Sequence, residues 1–409
     1  MSSEKQSQLP EPDKRGSILR RERTDECLQS LKLESKIFSG SINDRILSLD
    51  KEDLSFGKTI GIGGFSRVSS ILEFASAVDS KLEQHNKIYD TSSSSITMDG
   101  LDRSDLSTSS GYTSCTSMSK SNPRLYAVKE VLHTLPPEMK HAAQIDLARE
   151  ATFLKALVHP NIISLHSNGA VPGSKDYFIV VEKLEHDLCF CIKRWSTGLL
   201  MNNTKERQFL RETLSMSSGQ KKREFKIQRS IERYTVLADV ASALQFLHDS
   251  DVIFRDIKSG NVGITNDGVA KIFDFGLCIE LKEKYREPGT DSFKLSRAGT
   301  KRYMAPEVFA GKPYNLSADV FSFAILMWQV LTLSVPYDKM NSDQYERFVY
   351  KKNKRLKMKR KWPTEIKDTI QKSWAAEAEK RPSISTVRDT LITQLESSGY
   401  CWEGMSSPH

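Results

Sequence analysis

The spacing of apolar residues changes from strand-like to helix-like along this chain. The stretch SFGKTIGIGGFSRVSSIL, from Ser55, alternates apolar and polar positions and is broken by glycines, the pattern of two strands joined by a tight turn. RLYAVKEV, residues 124–131, predicts another strand. PPEMKHAAQIDLAREATFLKALV repeats its apolar residues at helical spacing, with Pro136 and Pro137 at the start, where a helix tolerates a missing N–H. ISLHSNG and YFIVVEKL read as strands. Helices are predicted over Asp187–Trp195, Arg233–His248, Ser317–Thr332, Ser342–Tyr350, Thr364–Ala375 and Ile384–Glu396, with short strands ahead of Phe273. A strand-rich first third before a helix-rich remainder predicts an α+β fold of two lobes.

The pattern fails in four places. Residues 1–50 are polar and charged, with KRGSILRRER at 14–23, and are expected to form a disordered tail, with structure beginning near Leu54. An insertion at about 75–122 contains the Ser-rich run Thr91–Asn122, which cannot bury enough apolar surface to offset chain entropy. A second, polar and basic insertion covers about 197–229, and residues 399–409 form a C-terminal tail. The longest apolar run, Phe321–Leu333, contains Gln329 and is too short to span a bilayer, so it reads as a buried helix; MSSEKQSQLP has no apolar signal core.

The chain has 409 residues, 38% hydrophobic and 27% charged, with a net charge of +8. These values fit a soluble globular protein. Much of the basic excess lies in KKNKRLKMKRKW, residues 351–362. An acidic-substrate, membrane-surface or nuclear-import patch competes there with a solvated helix end and loop, and the latter is the preferred reading. With no base-reading motif, specific nucleic-acid binding ranks last. No CxxC pair occurs among the six cysteines, and Cys189 and Cys191 lack a partner at metal-ligand spacing, so the thiols read as reduced and the protein as cytoplasmic, with nuclear access open.

Five short features carry chemistry. Gly61-Ile62-Gly63-Gly64-Phe65-Ser66-Arg67-Val68 is a glycine-rich hairpin whose backbone N–H groups can approach a phosphate, although such glycines also make ordinary turns. Lys129 stands in a strand and Glu150 in mid-helix, where solvent-facing charges are the plain alternative. IFRDIKSGN, Ile253–Asn261, gathers Asp256, Lys258 and Asn261 in one polar loop. Asp274-Phe275-Gly276 ends the strand KIFDFG and alone reads as a turn. What these alternatives do not explain is the order of all five, followed by Ala305-Pro306-Glu307.

This ordered set resembles the protein kinase family over about residues 54–398, with further matches in HPNI at His159–Ile162, Asp319 in SADVFSF and Arg381 in KRPS. The resemblance implies a bilobal kinase domain over 51–398: a small β-sheet lobe with one helix, about 51–184, and a larger helical lobe, about 185–398. It implies phosphoryl transfer from ATP with Mg²⁺ to protein substrates, chemistry that depends on positioning and charge neutralisation. Lys129 is then expected on the α- and β-phosphates, held by Glu150. Asp256 accepts the acceptor hydroxyl's proton, Lys258 steadies the γ-phosphate, and Asn261 and Asp274 bind Mg²⁺ as hard oxygen ligands. Gly61, Ile62, Gly63, Gly64, Phe65, Ser66, Val68 and Ala127 line the nucleotide site, with backbone groups of Glu182 and Leu184 on adenine, Asp187 near the ribose and Val181 as gatekeeper. Lys258 after Asp256 resembles serine/threonine kinases. GTKRYMAPEVF, DVFSFAILMWQVLT and RPSISTV resemble the tyrosine-kinase-like group, which includes Raf-like and mixed-lineage kinases.

Three positions depart from the family pattern. Phe254 replaces the usual His and is expected to pack in a column with Leu154, Leu165 and Phe275. Ser66 replaces the third glycine, and Gly263 stands where an aliphatic residue usually lies beneath adenine, which predicts a small void or a roomier site. Arg255 implies pairing with an activation-segment phosphate between Asp274 and Glu307. Ser292 and Ser296 are the expected targets of an upstream kinase, while Thr300 is expected to orient Asp256 and Lys258. Glu307 and Arg381 are expected to form a buried pair and Asp319 to brace the catalytic loop. The rival reading is an ATP-binding, catalytically silent scaffold; the intact set Lys129, Glu150, Asp256, Asn261 and Asp274 favours the enzyme.

Overall fold

The glycine-punctuated alternation and the strands after it assemble one sheet. In the computed structural model, which describes residues 35–38, 46–75, 78, 81, 125–200, 208, 212 and 216–400, its strands are β1 (Leu47–Ser48), β2 (Leu54–Ile62), β3 (Ser66–Phe74), β4 (Tyr126–Val131), β5 (Leu165–Gly169) and β6 (Phe178–Glu182). Their order is β1-β5-β6-β4-β3-β2. Neighbours run antiparallel except β1 with β5. Helix α1 (Pro137–Ala156) starts with Pro137 in its first turn and buries Leu147, Ala151, Phe153 and Leu154 in the main core.

The remainder is mainly helical: α2 (Leu188–Ser196), α3 (Ser218–Asp249), α4 (Pro306–Phe309), α5 (Ser317–Thr332), α6 (Ser342–Tyr345), α7 (Thr364–Ser373) and α8 (Ile384–Glu396). Short strands β7 (His186–Asp187), β8 (Val252–Ile253), β9 (Val262–Ile264), β10 (Ala270–Ile272) and β11 (Ile279–Glu280) carry the polar loops between them. Helix α5 is buried on nearly every face, which explains why its sequence shows no polar side. Among the described residues no helix is long and apolar enough to cross a membrane.

Several sequence expectations change. Structure begins ahead of Leu54: Leu47 and Leu49 are buried, and the Leu49 N–H donates to the Asn168 carbonyl at 2.9 Å. Further back, the Lys36 N–H donates to Glu280 at 2.8 Å and Phe38 meets Phe153 of α1 edge-on, ring centroids 5.5 Å apart. Polarity hid this segment because a few apolar side chains suffice to seat it; the rest of the expected tail lies outside the described residues. The Ser-rich run also lies outside the described residues, but earlier in the same insertion Val78 is buried and Lys81 pairs with Asp53 at 2.6 Å. Helix α3 begins at Ser218 rather than Arg233, so it takes in the end of the basic insertion. Ser217 and Gln220 form a reciprocal capping box there, and the Lys, Arg, Glu and Gln that follow are good helix formers whatever their polarity. The helix expected over Ser342–Tyr350 is α-helical only to Tyr345 and continues as a π-helix, Glu346–Lys351. Within the basic run, Arg355 is structural, donating to the Trp374 carbonyl at 2.7 Å, while Lys351, Lys352, Lys354, Lys357, Lys359, Arg360 and Lys361 face solvent.

Candidate active site

Residues expected at one site converge between the sheet and the loops around β8 to β11. The β2–β3 turn is closed by the Gly63 N–H on the Ser66 carbonyl at 2.8 Å. A Cβ added at Gly64 would meet nothing within 4 Å, so the protein itself does not demand glycine there. That open space suits close approach of a phosphate to the backbone. Ile62 and Phe65 are exposed on this turn, and Val68 faces Lys129 across β3–β4.

Lys129 Nζ lies 2.6 Å from Glu150 Oε2 and 3.2 Å from Asp274 Oδ1. Strand and helix thus present opposite charges inward, not to solvent. Burial works against the Lys129 charge, but the two carboxylates outweigh it and raise its pKa. Burial raises the Glu150 carboxyl, with Lys129 opposing. At Asp274 the Lys129 charge wins and holds the carboxyl below its usual range. Asp274 has φ of 73° and Arg255 φ of 69°, left-handed backbone that non-glycine residues adopt at a cost. Such strain persists only where the surroundings over-determine it.

Those surroundings are visible. Asp319, buried on α5, accepts the N–H groups of Phe254 and Arg255 at 2.8 and 2.9 Å. His248 lies 3.1 Å from the same carboxylate. The Phe254 ring stands edge-on to Phe275 at 5.3 Å, and both are buried with Leu154 and Leu165. The Phe254 departure therefore keeps the column apolar and aromatic. Asp256 is the hub of the loop: Thr300 Oγ1 donates to Oδ1 at 2.6 Å, while Lys258 Nζ and Asn261 Nδ2 donate to Oδ2 at 2.6 and 3.0 Å. Spending the Asn261 nitrogen on Asp256 leaves its side-chain carbonyl oxygen to ligate a cation. With Asp274 this supplies hard oxygen ligands. Among the described residues no cluster of three or more His, Cys, Asp or Glu could by itself hold a metal. Such a pair suits a cation that keeps phosphate and water in its other positions.

At the other edge, Val181 is buried opposite Ala127. The Glu182 carboxylate accepts the Ser164 N–H at 2.7 Å and pairs with Lys271 at 2.8 Å, so its side chain is spent and its backbone carbonyl is what remains for a ligand. The N–H groups of Glu182, Lys183 and Glu185 reach the carbonyls of Ser164, Leu125 and Ile264. Among the described residues the Leu184 N–H is left without a protein acceptor. Asp187 caps α2 through the Phe190 N–H at 2.7 Å. The void expected at Gly263 is absent: a Cβ there would lie 2.2 Å from Leu184 Cδ1, so Leu184 already occupies that space.

Sequence reading passed over Gly299. Its φ is 104°, and an added Cβ would lie 2.3 Å from the Arg255 carbonyl oxygen, so only glycine lets the chain turn Thr300 onto Asp256. The signal was its place immediately before Thr300. The structure also separates Ser292 from Ser296. One Arg255 guanidinium nitrogen lies 3.3 Å from the Ser296 carbonyl and 3.4 Å from its hydroxyl, whereas Ser292 closes a turn with its carbonyl on the Glu287 N–H.

The lysine–glutamate–aspartate contact, the aspartate-centred loop and the glycine hairpin are the parts to compare with known proteins. The family of protein tyrosine and serine/threonine kinases matches residues 112–391, and the chain belongs to it. It is 31% identical over 260 residues to serine/threonine-protein kinase CTR1 of Arabidopsis thaliana, covering 63% of this chain and 28% of that protein. Dual specificity protein kinase shkB of Dictyostelium discoideum is 34% identical over 162 residues, 39% of this chain and 24% of that protein. Mitogen-activated protein kinase kinase kinase 13 of Bos taurus is 27% identical over 266 residues, 65% of this chain and 22% of that protein. The chain thus spans about a quarter of the length of these relatives.

Proposed function

We infer that the chain is a serine/threonine protein kinase of the tyrosine-kinase-like group, transferring the γ-phosphoryl group of ATP to hydroxyls of protein substrates. The observation that carries this reading is the Asp256 carboxylate held by Thr300, Lys258 and Asn261. Asp256 accepts the acceptor hydroxyl's proton as its oxygen bonds to the γ-phosphorus and the bond to the β-phosphate oxygen breaks, releasing ADP. Lys258 is placed to follow the charge that builds on the transferred group, and Lys129, fixed by Glu150, to hold the α- and β-phosphates. Mg²⁺ bound through Asp274 and Asn261 would neutralise phosphate charge. The presence and pairing of all these parts favour the enzyme over a silent scaffold. The test is incubation with Mg²⁺-ATP and a generic basic protein, followed by phosphoamino-acid analysis. Phosphoserine or phosphothreonine is expected. Phosphotyrosine as the main product would overturn the acceptor class, and ATP binding without transfer would favour the scaffold.

Regulation by an upstream kinase is proposed at Ser296. A phosphate there would meet the Arg255 guanidinium, a charge-assisted contact that orders the segment. Arg286, nearer Ser292, is committed to Glu283 and Asp291. Ser296→Ala is expected to lower the kcat of the phosphorylated enzyme roughly tenfold, and Ser292→Ala to leave it near wild type. Equal rates for Ser296→Ala and wild type whose Ser296 is shown by mass spectrometry to be phosphorylated would refute this.

A further inference from the structure

A nucleotide base is a flat ring and binds best between two apolar surfaces. Here Val68 and Ala127 come from the sheet side and Val181 stands behind. On the opposite side the strand following Asn261 offers Gly263, which has no side chain. Its backbone does not call for glycine: Gly263 lies in β9, paired with Asp187 and Lys271, and its φ is outside the left-handed region. What excludes a side chain is Leu184. A Cβ at position 263 would sit 2.2 Å from Leu184 Cδ1 and 3.1 Å from both its Cβ and Cγ. These contacts reach from root to tip of the leucine, so it lies along the strand and does not merely brush it. Leu184 also packs against the main core while belonging to the linker between β6 and α2. The Glu185 N–H on the Ile264 carbonyl at 2.8 Å holds linker and strand together at this point.

We propose that the Leu184 side chain, seated over Gly263, forms the apolar floor of the base pocket, and that the two positions act as one specificity-determining pair for the nucleotide. The inference rests on the kinase reading and deepens it: a single residue supplies both the open backbone N–H at the rim and the surface beneath the ring. The floor then belongs to the linker, not to the strand. A side chain at 263 would displace Leu184 toward the ligand, and loss of the Leu184 side chain would leave the ring without apolar contact below.

The test measures KM for ATP, kcat and direct Mg²⁺-ATP affinity by calorimetry for wild type, Leu184→Ala, Gly263→Leu and the double variant. Each single variant is expected to raise KM and Kd for ATP roughly tenfold, with kcat at saturating ATP changed less than about threefold. The double variant, which restores a leucine from the strand side, is expected to return both constants to within about threefold of wild type. Gly263→Ala, which places only a Cβ against Leu184, replaces Gly263→Leu if the latter does not fold. A purely structural role predicts lower melting temperatures with unchanged ATP constants, or additive losses in the double variant; either result overturns the proposal. Wild type that binds no Mg²⁺-ATP overturns the kinase reading and this inference with it, whereas normal binding insensitive to Leu184→Ala overturns this inference alone.

Discussion

An Asp274→Asn protein is expected to fold as wild type does and to transfer phosphate on the order of 10³-fold more slowly, a loss of about 4 kcal/mol of transition-state stabilisation. The size follows from what the carboxylate does. The Lys129 charge holds Asp274 ionised well below neutral pH, so the amide removes a full negative charge at the proposed cation site. The fold is spared for a geometric reason. Lys129 keeps its shorter contact, 2.6 Å to Glu150, and the Asp274 side chain is 46% exposed, so no buried charge is stranded. The check is kcat at saturating Mg²⁺-ATP alongside a melting curve. A wild-type rate at the wild-type melting temperature would remove Asp274 from the cation site and with it the proposed mechanism.

Arg381→Ala is expected to have the largest effect on stability, about 3–5 kcal/mol, seen as a melting temperature lower by roughly 5–10 °C. Arg381 makes a bidentate pair with Glu307 at 2.7 and 2.8 Å, and its side chain is fully buried. It also donates to the carbonyls of Ala375, Ser317 and Ala376 and lies over the Phe321 ring. Truncation leaves the Glu307 carboxylate and these carbonyls without their donor, and removal of one partner of a buried pair is far costlier than removal of both. The double variant Glu307→Gln with Arg381→Met should therefore lose less than Arg381→Ala alone. Since Glu307 stands in α4, at the end of the activation segment, the single variant should also lose activity at temperatures where it remains folded. A double variant less stable than Arg381→Ala would count against this account.

Side-chain periodicity and residue order made much of the molecule legible. The boundaries of α8 follow from apolar spacing, because burial of one helix face requires it, and those of α5 from a near-continuous apolar run, because that helix is buried on nearly every face. The family was legible because its chemistry needs particular charged and glycine residues in a particular order, and that order survives the long insertions. The convergence of Lys129, Glu150 and Asp274, and of Asp256 with Lys258 and Asn261, is the physical counterpart of those motifs.

Other features depended on contacts between segments far apart in the chain. Lys36 reaches Glu280 and Phe38 meets Phe153, so a polar segment takes its place from a surface made elsewhere. Ser292 and Ser296 look equivalent as letters, and only the course of the chain brings Ser296 to Arg255. Gly299 is essential because the Arg255 carbonyl passes 2.3 Å from where its Cβ would be. Gly263 shows the division most sharply. By itself the residue type predicts a missing contact, and the folded chain fills that space with Leu184. Sequence alone determined most of the helices and strands, since these depend on local spacing and residue type, and through the order of its motifs it pointed to the charged residues of the site. Tertiary structure alone decided which side chain fills which space, since packing is a property of surfaces that the linear order does not place side by side.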